Sequence, residues 1–316
     1  MTAMTLLVDR RDAELSLSSN RQVVCLRYPD GDIFRIGINA LKQIVVQGEV
    51  NLPTSLLRAL HTVGVSVVLL PAHGAGEGIY LFPQSSRNID LRLAQYRAFA
   101  DDSARLALAK LMVVEKIEAQ IQWLGHHQIV HQLAPMVRQV QQASDIAVLM
   151  GIEGSVAQIY FEKWRTLWAD TWGFKARNRR PPRDPVNTLL SLGYTLAGHS
   201  VGQLVVSHGL ELGIGFLHVP YRGRPSLALD VLERVRPFVD EWLWQQVEAG
   251  LLSPADFFVG KEGACSLEKS GRSRFYGAWY GEAEDFLQQP MRDSLAVLLN
   301  KLRQYRVIHP TAEIME

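Results

Sequence analysis

The stretch NIDLRLAQYRAFADDSARLALAKLMVVEKI, residues 88–117, decides how the chain is divided. Its apolar side chains, Leu111, Val114 and Ile117 among them, recur mostly at steps of three to four residues, which is the period of an amphipathic helix. The residues before it alternate short apolar segments with turn signals instead. We therefore predict that a mainly α-helical domain begins at residue 88 and runs to residue 316.

The N-terminal region, residues 1–87, has the pattern of a small β domain. Pro29-Asp30-Gly31-Asp32 is typical of a hairpin turn, because Asp and Gly tolerate the backbone angles of such a turn. A short helix is predicted at Pro53–Val63, with Asn51 as a possible N-cap and Gly64 at its C-terminal stop. The predicted strands are Glu14–Ser18, Val23–Tyr28, Ile33–Ile36, Gln43–Gln47, Val65–Leu70 and Ile79–Leu81.

These patterns together predict an α+β fold. A small N-terminal β-sandwich-like domain, residues 1–87, is followed by a larger, mainly α-helical C-terminal domain, residues 88–316. Ser85-Ser86-Arg87-Asn88 lies where strand patterns give way to helical ones, so it is the predicted linker. With 316 residues and 47% apolar side chains, the chain can bury a core in each domain.

The bulk composition limits where the protein works. Lys and Arg number 33 against 32 Asp and Glu, so any surface that binds nucleic acid must be local. Apolar stretches such as Val65–Pro71 are far shorter than the roughly 20 residues of a membrane span. Met1–Arg11 lacks the basic-then-apolar order of a secretory signal, and the two cysteines, Cys25 and Cys265, indicate reduced thiols. We expect a cytoplasmic protein without a membrane segment.

Acid and imidazole side chains stand in apolar surroundings at three places in the helical region: Glu153, His218 and the pair Asp230 and Glu233. A histidine with carboxylates supplies mixed nitrogen and oxygen ligands, which suit Mn²⁺ and are acceptable to Mg²⁺. A metal held in this way can polarise a phosphate and help to generate an oxygen nucleophile. The set is therefore a candidate site for phosphodiester cleavage or transfer.

Glu153 and His218 each have a structural interpretation as well. Glu153 would lie in the first turn of a helix, where the helix dipole favours a carboxylate. His218 closes an apolar segment just before Pro220, and a histidine in such a place is often simply packed.

The acid pair also has an alternative interpretation. Ser226 can cap a helix on which Asp230 and Glu233, three residues apart, project from the same side. A divalent cation or a basic partner would relieve their repulsion. Alternatively, both are solvated acids, with Glu233 paired to Arg234 or Arg236.

Several motifs, taken in order, closely resemble the CRISPR-associated protein one family, the endonuclease and integrase subunit of the spacer-acquisition machinery. Each motif alone is weak, but their order and spacing are specific, and the resemblance covers nearly the whole chain. The motifs are Asp9-Arg10-Arg11, Glu153-Gly154-x-x-Ala157-x-x-Tyr160-Phe161, Asn187-x-x-Leu190-x-x-Gly193-Tyr194, Gly215-Phe216-Leu217-His218 and Arg224-Pro225-Ser226-Leu227-x-x-Asp230-x-x-Glu233 with Arg236-Pro237.

The resemblance implies which residues act and which partners they act with. Glu153, His218 and Glu233 would bind a catalytic Mg²⁺ or Mn²⁺, and Asp230 would be a further catalytic acid. The N-terminal domain would form a homodimer, and dimers would assemble with a dimer of the small CRISPR-associated protein two. The complex would hold a short double-stranded DNA, the prespacer, whose 3′-hydroxyl ends attack the CRISPR repeat.

A basic segment between the metal-binding motifs is the predicted DNA contact, because phosphate contacts supply most sequence-independent affinity for DNA. The alternative is an ordinary solvated loop. Tyr194 is also predicted to contact DNA near the metal, although a tyrosine in such a helical segment usually packs in the core. The basic residues of this segment are Lys175, Arg177, Arg179, Arg180 and Arg183.

A second basic segment is Lys261 to Arg274, in which Lys269, Arg272 and Arg274 precede a run of aromatic residues that includes Phe275 and Trp279. Aromatic rings beside arginines can stack on unpaired bases, or they can pack the C-terminal helices. Two other functions stay open at this stage: a DNA-binding scaffold without catalysis, and a general metal-dependent nuclease outside CRISPR adaptation.

Overall fold

A computed structural model describes residues 4–70, 78–81, 88–179, 181–260 and 263–306. The chain forms two compact units, residues 1–84 and 85–316. Ser85, Ser86 and Arg87 of the predicted linker, and with them the predicted boundary at residue 87, lie outside the described residues.

The first unit contains two sheets and one helix. In its described part, one sheet has the order β1-β5-β7-β8, parallel except for the antiparallel pair β7 and β8. The other has the order β4-β3-β2-β6, in which β2, β3 and β4 are antiparallel and β6 runs parallel to β2. The elements are β1 (Met4–Val8), β2 (Ala13–Leu17), β3 (Val23–Arg27), β4 (Ile33–Gly37), β5 (Leu41–Gln47), β6 (Val50–Asn51), α1 (Thr54–Thr62), β7 (Ser66–Leu70) and β8 (Ile79–Leu81).

Both sheets and α1 contribute to one core. Val8, Leu15 and Ile44 are fully buried in it. Leu56 and Leu60, four residues apart on α1, face the same interior because side chains at that spacing share one side of a helix. The predicted β-sandwich-like fold of this region is confirmed.

The predicted strands are all present, with ends that differ by no more than two residues. The Pro29–Asp32 turn joins β3 to β4, and Gly31 adopts the positive φ of 96° that such a turn requires. Two strands, β1 and β6, are additional to the predicted ones: β1 is the short run Met4–Val8, and β6 has only two residues. The predicted cap of α1 is wrong: Asn51 lies in β6, and Pro53 precedes the helix without a side-chain cap.

The second unit is mainly helical. The stretch at residues 88–117 forms two helices rather than one, because the side chain of Asp101 accepts hydrogen bonds from the N–H groups of Ser103 and Ala104 and starts the second helix. The elements are α2 (Ile89–Ala100), α3 (Asp102–His126), α4 (Ala134–Gln142), α5 (Ile146–Trp164), α6 (Pro185–Ser207), α7 (Ser226–Glu248), β9 (Phe257–Val259), β10 (Cys265–Leu267), α8 (Lys269–Ala278) and α9 (Glu284–Leu302).

The centre of this unit is α7, which packs against α3, α6 and α9. Gly193 lets α6 approach α7 closely, since a Cβ atom there would lie 2.9 Å from Val239 Cγ1. By length and composition α6 alone, among the described helices, could cross a membrane, yet 56% of its most apolar window is buried inside the unit. Such burial is typical of a core helix.

Candidate active site

A buried aspartate on α7 holds the loop that carries His218. Oδ2 of Asp230 accepts hydrogen bonds from the backbone N–H groups of Phe216 (2.5 Å) and Leu217 (3.1 Å). Oδ1 accepts from the backbone N–H of His218 (2.9 Å) and meets its ring Nδ1 at 2.8 Å. Because an ionised carboxylate only accepts, Nδ1 carries a proton in this contact, which leaves Nε2 as the ring nitrogen that can bind a ligand.

In this structure Asp230 orients the loop that carries His218, and its predicted role as a catalytic acid stays a prediction. Both of its oxygens are engaged by the His218 loop, and the residue is fully buried. Metal-binding histidines commonly donate their second ring N–H to a carboxylate in this way. The predicted capping role of Ser226 is wrong, since its hydroxyl donates to the carbonyl of Val219 at 3.2 Å.

Gly215 is the residue that allows this contact. A Cβ atom at this position would lie 2.8 Å from the backbone carbonyl atoms of Ser226 and 2.9 Å from Oδ2 of Asp230. The backbone just before His218 can therefore reach the start of α7 only without a side chain. The Gly-Phe-Leu-His motif has a steric reason for its first residue.

We predict that Gly215→Ala lowers the free energy of unfolding by about 1–3 kcal/mol, the usual cost of forcing atoms into a well-packed site. Urea-induced unfolding of the full chain measures it. Gly213→Ala is the matched control, since a Cβ atom there meets its nearest neighbours only at 3.9 Å. Equal stability of the two variants would contradict the steric role of Gly215.

Glu153 reaches the site from the middle of α5. The side chain of Asp145 accepts a hydrogen bond from the N–H of Val148 (2.9 Å) and caps the helix, which begins at Ile146. Glu153 thus lies in the third turn, and the interpretation of it as a first-turn acid is wrong. The helix dipole is weak that far from the helix end, so another charge must stabilise this carboxylate.

That charge is Lys116 on α3, which the sequence analysis missed. Its side chain is 5% exposed, and its ammonium group donates to Oε1 of Glu153 and to Oε2 of Glu233, the latter at 2.5 Å. The sequence does carry a signal: Lys116 falls in helical register with buried Met112 and Gln120. A lysine on an apolar helix face needs a buried partner.

Glu233 is buried and neutralised from two sides. Lys116 holds Oε2, and Nε of Arg236 donates to Oε1 at 3.0 Å. Burial alone would raise the pKa of Glu233, but the charges of Arg236, Lys116 and His218 bring that pKa well below its usual value. The predicted pairing with Arg236 is confirmed, whereas Arg234 pairs with Glu115 instead.

The predicted metal ligands converge, with Lys116 between two of them. Nε2 of His218 lies 4.0 Å from Oε1 of Glu233. With bonds of about 2.1 Å, two ligands of one ion lie no more than about 4.2 Å apart, so this distance fits a shared ion. Within the described residues, no three His, Cys, Asp or Glu side chains are already arranged around a metal position. The donor set fits Mg²⁺ or Mn²⁺ once Glu153 and Glu233 close on a common centre.

A buried network is joined to Glu233 through Arg236. The hydroxyl groups of Tyr194 (2.5 Å) and Tyr160 (2.8 Å) both donate to Asp240. Burial raises the pKa of Asp240 to about 6, although the two hydroxyl groups oppose this rise. The guanidinium groups of Arg236 and Arg177 both lie over the ring of Tyr194, at 4.6 Å and 5.6 Å from its centroid. In this structure the hydroxyl of Tyr194 bonds Asp240 and its ring packs against Arg236, and the predicted DNA contact of Tyr194 stays a prediction.

The basic segment divides into inward and outward side chains. Arg177 turns inward and donates to Asn187 Oδ1 at 2.8 Å, and burial lowers the pKa of Arg177 to about 10. Arg180 lies outside the described residues. Lys175, Arg179 and Arg183 are exposed.

The second basic segment does not offer its aromatic rings for stacking on bases. Phe275 and Trp279 are buried and stack on each other, with ring centroids 6.0 Å apart. Arg274 forms an ion pair with Asp256 at 2.5 Å. The interpretation that these aromatics pack the C-terminal helices is correct.

Comparison with known proteins shows the family to which the chain belongs. The family model described as "CRISPR associated protein Cas1" matches residues 6–281. A CRISPR-associated endonuclease Cas1 of Thermus thermophilus is 32% identical over 272 residues, which cover 85% of this chain and 79% of the relative. One of Thermodesulfovibrio yellowstonii is 30% identical over 315 residues, 92% of this chain and 98% of the relative.

Solved structures share the fold. A Cas1 protein from Thermotoga maritima superposes with a TM-score of 0.86 at 23% identity, covering 97% of this chain and 99% of that one. A casposase bound to integration product gives 0.80 at 21% identity, with coverage of 96% and 89%. A chain of a Cas6-RT-Cas1–Cas2 complex gives 0.76 at 20% identity, with coverage of 97% and 36%.

Proposed function

Because the chain belongs to the CRISPR-associated protein Cas1 family, we propose that it is a metal-dependent DNA endonuclease and integrase that inserts short DNA fragments into a CRISPR array. The reaction is attack of 3′-hydroxyl ends on phosphodiesters of the repeat. The observation that carries the proposal is a convergence of three separate parts of the chain: Glu153 and Glu233 meet at Nζ of Lys116, and Nε2 of His218 lies 4.0 Å from Oε1 of Glu233.

Each residue of the site has a part in this reaction. Glu153, His218 and Glu233 would hold Mg²⁺ or Mn²⁺, which when bound would polarise the attacked phosphate and stabilise charge on the leaving oxygen. Asp230 keeps His218 in the tautomer that presents Nε2. Arg236 fixes the orientation of the Glu233 carboxylate. The protein thus supplies position, which phosphoryl chemistry needs above all.

The partners follow from the same proposal. The protein acts on double-stranded DNA, both the prespacer and the CRISPR repeat, and it does so in the cytoplasm. Residues 1–87 serve homodimerisation, and residues 88–316 carry the catalytic site. Two dimers assemble with a dimer of the small protein Cas2; the Cas6-RT-Cas1–Cas2 complex, which contains a chain of similar fold, supports this combination.

We predict that His218→Ala lowers strand joining by more than about a hundredfold, since even changes to groups behind a metal ligand cost about 10–100-fold. The assay combines the protein, Cas2, a short DNA with free 3′ ends, a supercoiled CRISPR plasmid and Mn²⁺ or Mg²⁺; joined plasmid is measured on gels. His126→Ala is the control, because His126 is an exposed histidine at the C-terminal end of α3.

Other outcomes of this assay identify the other functions. Cleavage without joining, with Cas2 present, would indicate a general nuclease. Tight DNA binding with neither reaction would indicate a scaffold. Full joining by the His218→Ala variant would show that the reaction does not need His218.

We further propose that the exposed side chains of the basic segment contact DNA phosphates. Replacing Lys175, Arg179 and Arg183 together by Ala should reduce the slope of log affinity against log salt concentration by about 0.9 for each phosphate that these side chains neutralise. Fluorescence anisotropy with a labelled duplex measures the slope. A variant with Arg138, Arg165 and Arg292 replaced, all exposed on other elements, removes the same charge. Equal slopes for the two variants would exclude a specific role for the basic segment.

A further inference from the structure

We propose that Lys116 is a built-in cation that occupies the place of the metal until the metal arrives. Its ammonium group holds Glu153 and Glu233 together in the metal-free protein, and binding of the divalent ion requires it to leave. This inference rests on the proposed function, since it assumes that the two glutamates are metal ligands.

The geometry gives the first reason. Oxygens of Glu153 and Glu233 both contact the single atom Nζ of Lys116, so this atom lies between the two carboxylates. An ion bound to both oxygens would need the same space. Lys116 comes from α3, whereas the two acids come from α5 and α7, so the ammonium also links three helices at the site.

The charges give the second reason. Lys116 and Arg236 together balance Glu153 and Glu233, and both lysine–glutamate contacts are largely shielded from solvent. A divalent ion added to this balanced group would leave an excess of two positive charges in a region of low dielectric. Displacement of the ammonium removes part of that excess. Arg236 stays in place because it donates to Oε1 of Glu233, not to the oxygen that Lys116 holds, and because its guanidinium group lies over the ring of Tyr194.

Two consequences separate this role from a simple structural ion pair. Without the ammonium, the carboxylates repel each other, so the metal-free protein loses stability. The same change removes the competitor for the metal position, so the ion binds more tightly. If Lys116 only helped to shape the site, its replacement would lower both the stability of the protein and its affinity for the metal.

The test measures Mn²⁺ binding alone, by electron paramagnetic resonance of free Mn²⁺, and thermal unfolding of the full chain with and without Mn²⁺. For Lys116→Met we expect a lower melting temperature without metal, by about 10 °C, and Mn²⁺ binding at least about tenfold tighter than in the wild type. The rise in melting temperature on adding Mn²⁺ should be correspondingly larger.

Lys110→Met is the matched control, because Lys110 lies on the same helix and donates to the carbonyl of Gln141 rather than to a glutamate. Its Mn²⁺ affinity should equal that of the wild type. Lys116→Gln, which keeps a hydrogen-bond donor without the charge, serves if the methionine variant does not fold, with the same expected gain in affinity.

Unchanged or weaker Mn²⁺ binding by a folded Lys116 variant would overturn the inference. Failure of the proposed function looks different: the wild type would then bind no Mn²⁺, or its binding would survive in His218→Ala. Mn²⁺ binding that depends on His218 but not on Lys116 would reject this inference alone.

Discussion

Two glutamates on different helices share one buried ammonium group, and the rest of the site depends on that contact. Breaking a buried ion pair by removing one partner costs about 3–5 kcal/mol, because the remaining charge is left without compensation. The Lys116 contacts to Glu153 and Glu233 therefore hold α3, α5 and α7 at one mutual position. Convergence of acids far apart in sequence is the property that a divalent ion requires, and the fold provides it before any ion binds.

Around this contact, other groups fix the orientation of His218 and of Glu233. Asp230 accepts hydrogen bonds along the His218 loop and fixes the tautomer of the ring. Arg236 joins Glu233 to the ring of Tyr194, whose hydroxyl donates to Asp240. The basic segment meets the same ring through Arg177. The basic segment that we propose for DNA binding is thus connected to Glu233, a proposed metal ligand, through the packed side chains of Tyr194 and Arg236.

Local patterns in the sequence predict the local parts of this structure. Alternating strands, the Pro29–Asp32 turn and the helical period after residue 88 depend on near neighbours, so they are found correctly. The contacts of Lys116 depend on partners 37 and 117 residues later in the chain, which no local pattern shows. Likewise, the basic segment is visible as a cluster, but tertiary packing decides that Arg177 turns inward while Arg179 does not.

The central claim is that Glu153, Glu233 and His218 bind one divalent ion. Diffraction at the manganese absorption edge, from crystals of the full chain grown with Mn²⁺, tests it most directly. The account predicts an anomalous peak within about 2.5 Å of both carboxylates and of Nε2 of His218. A strong peak elsewhere in the chain, with these three side chains still apart, would contradict it.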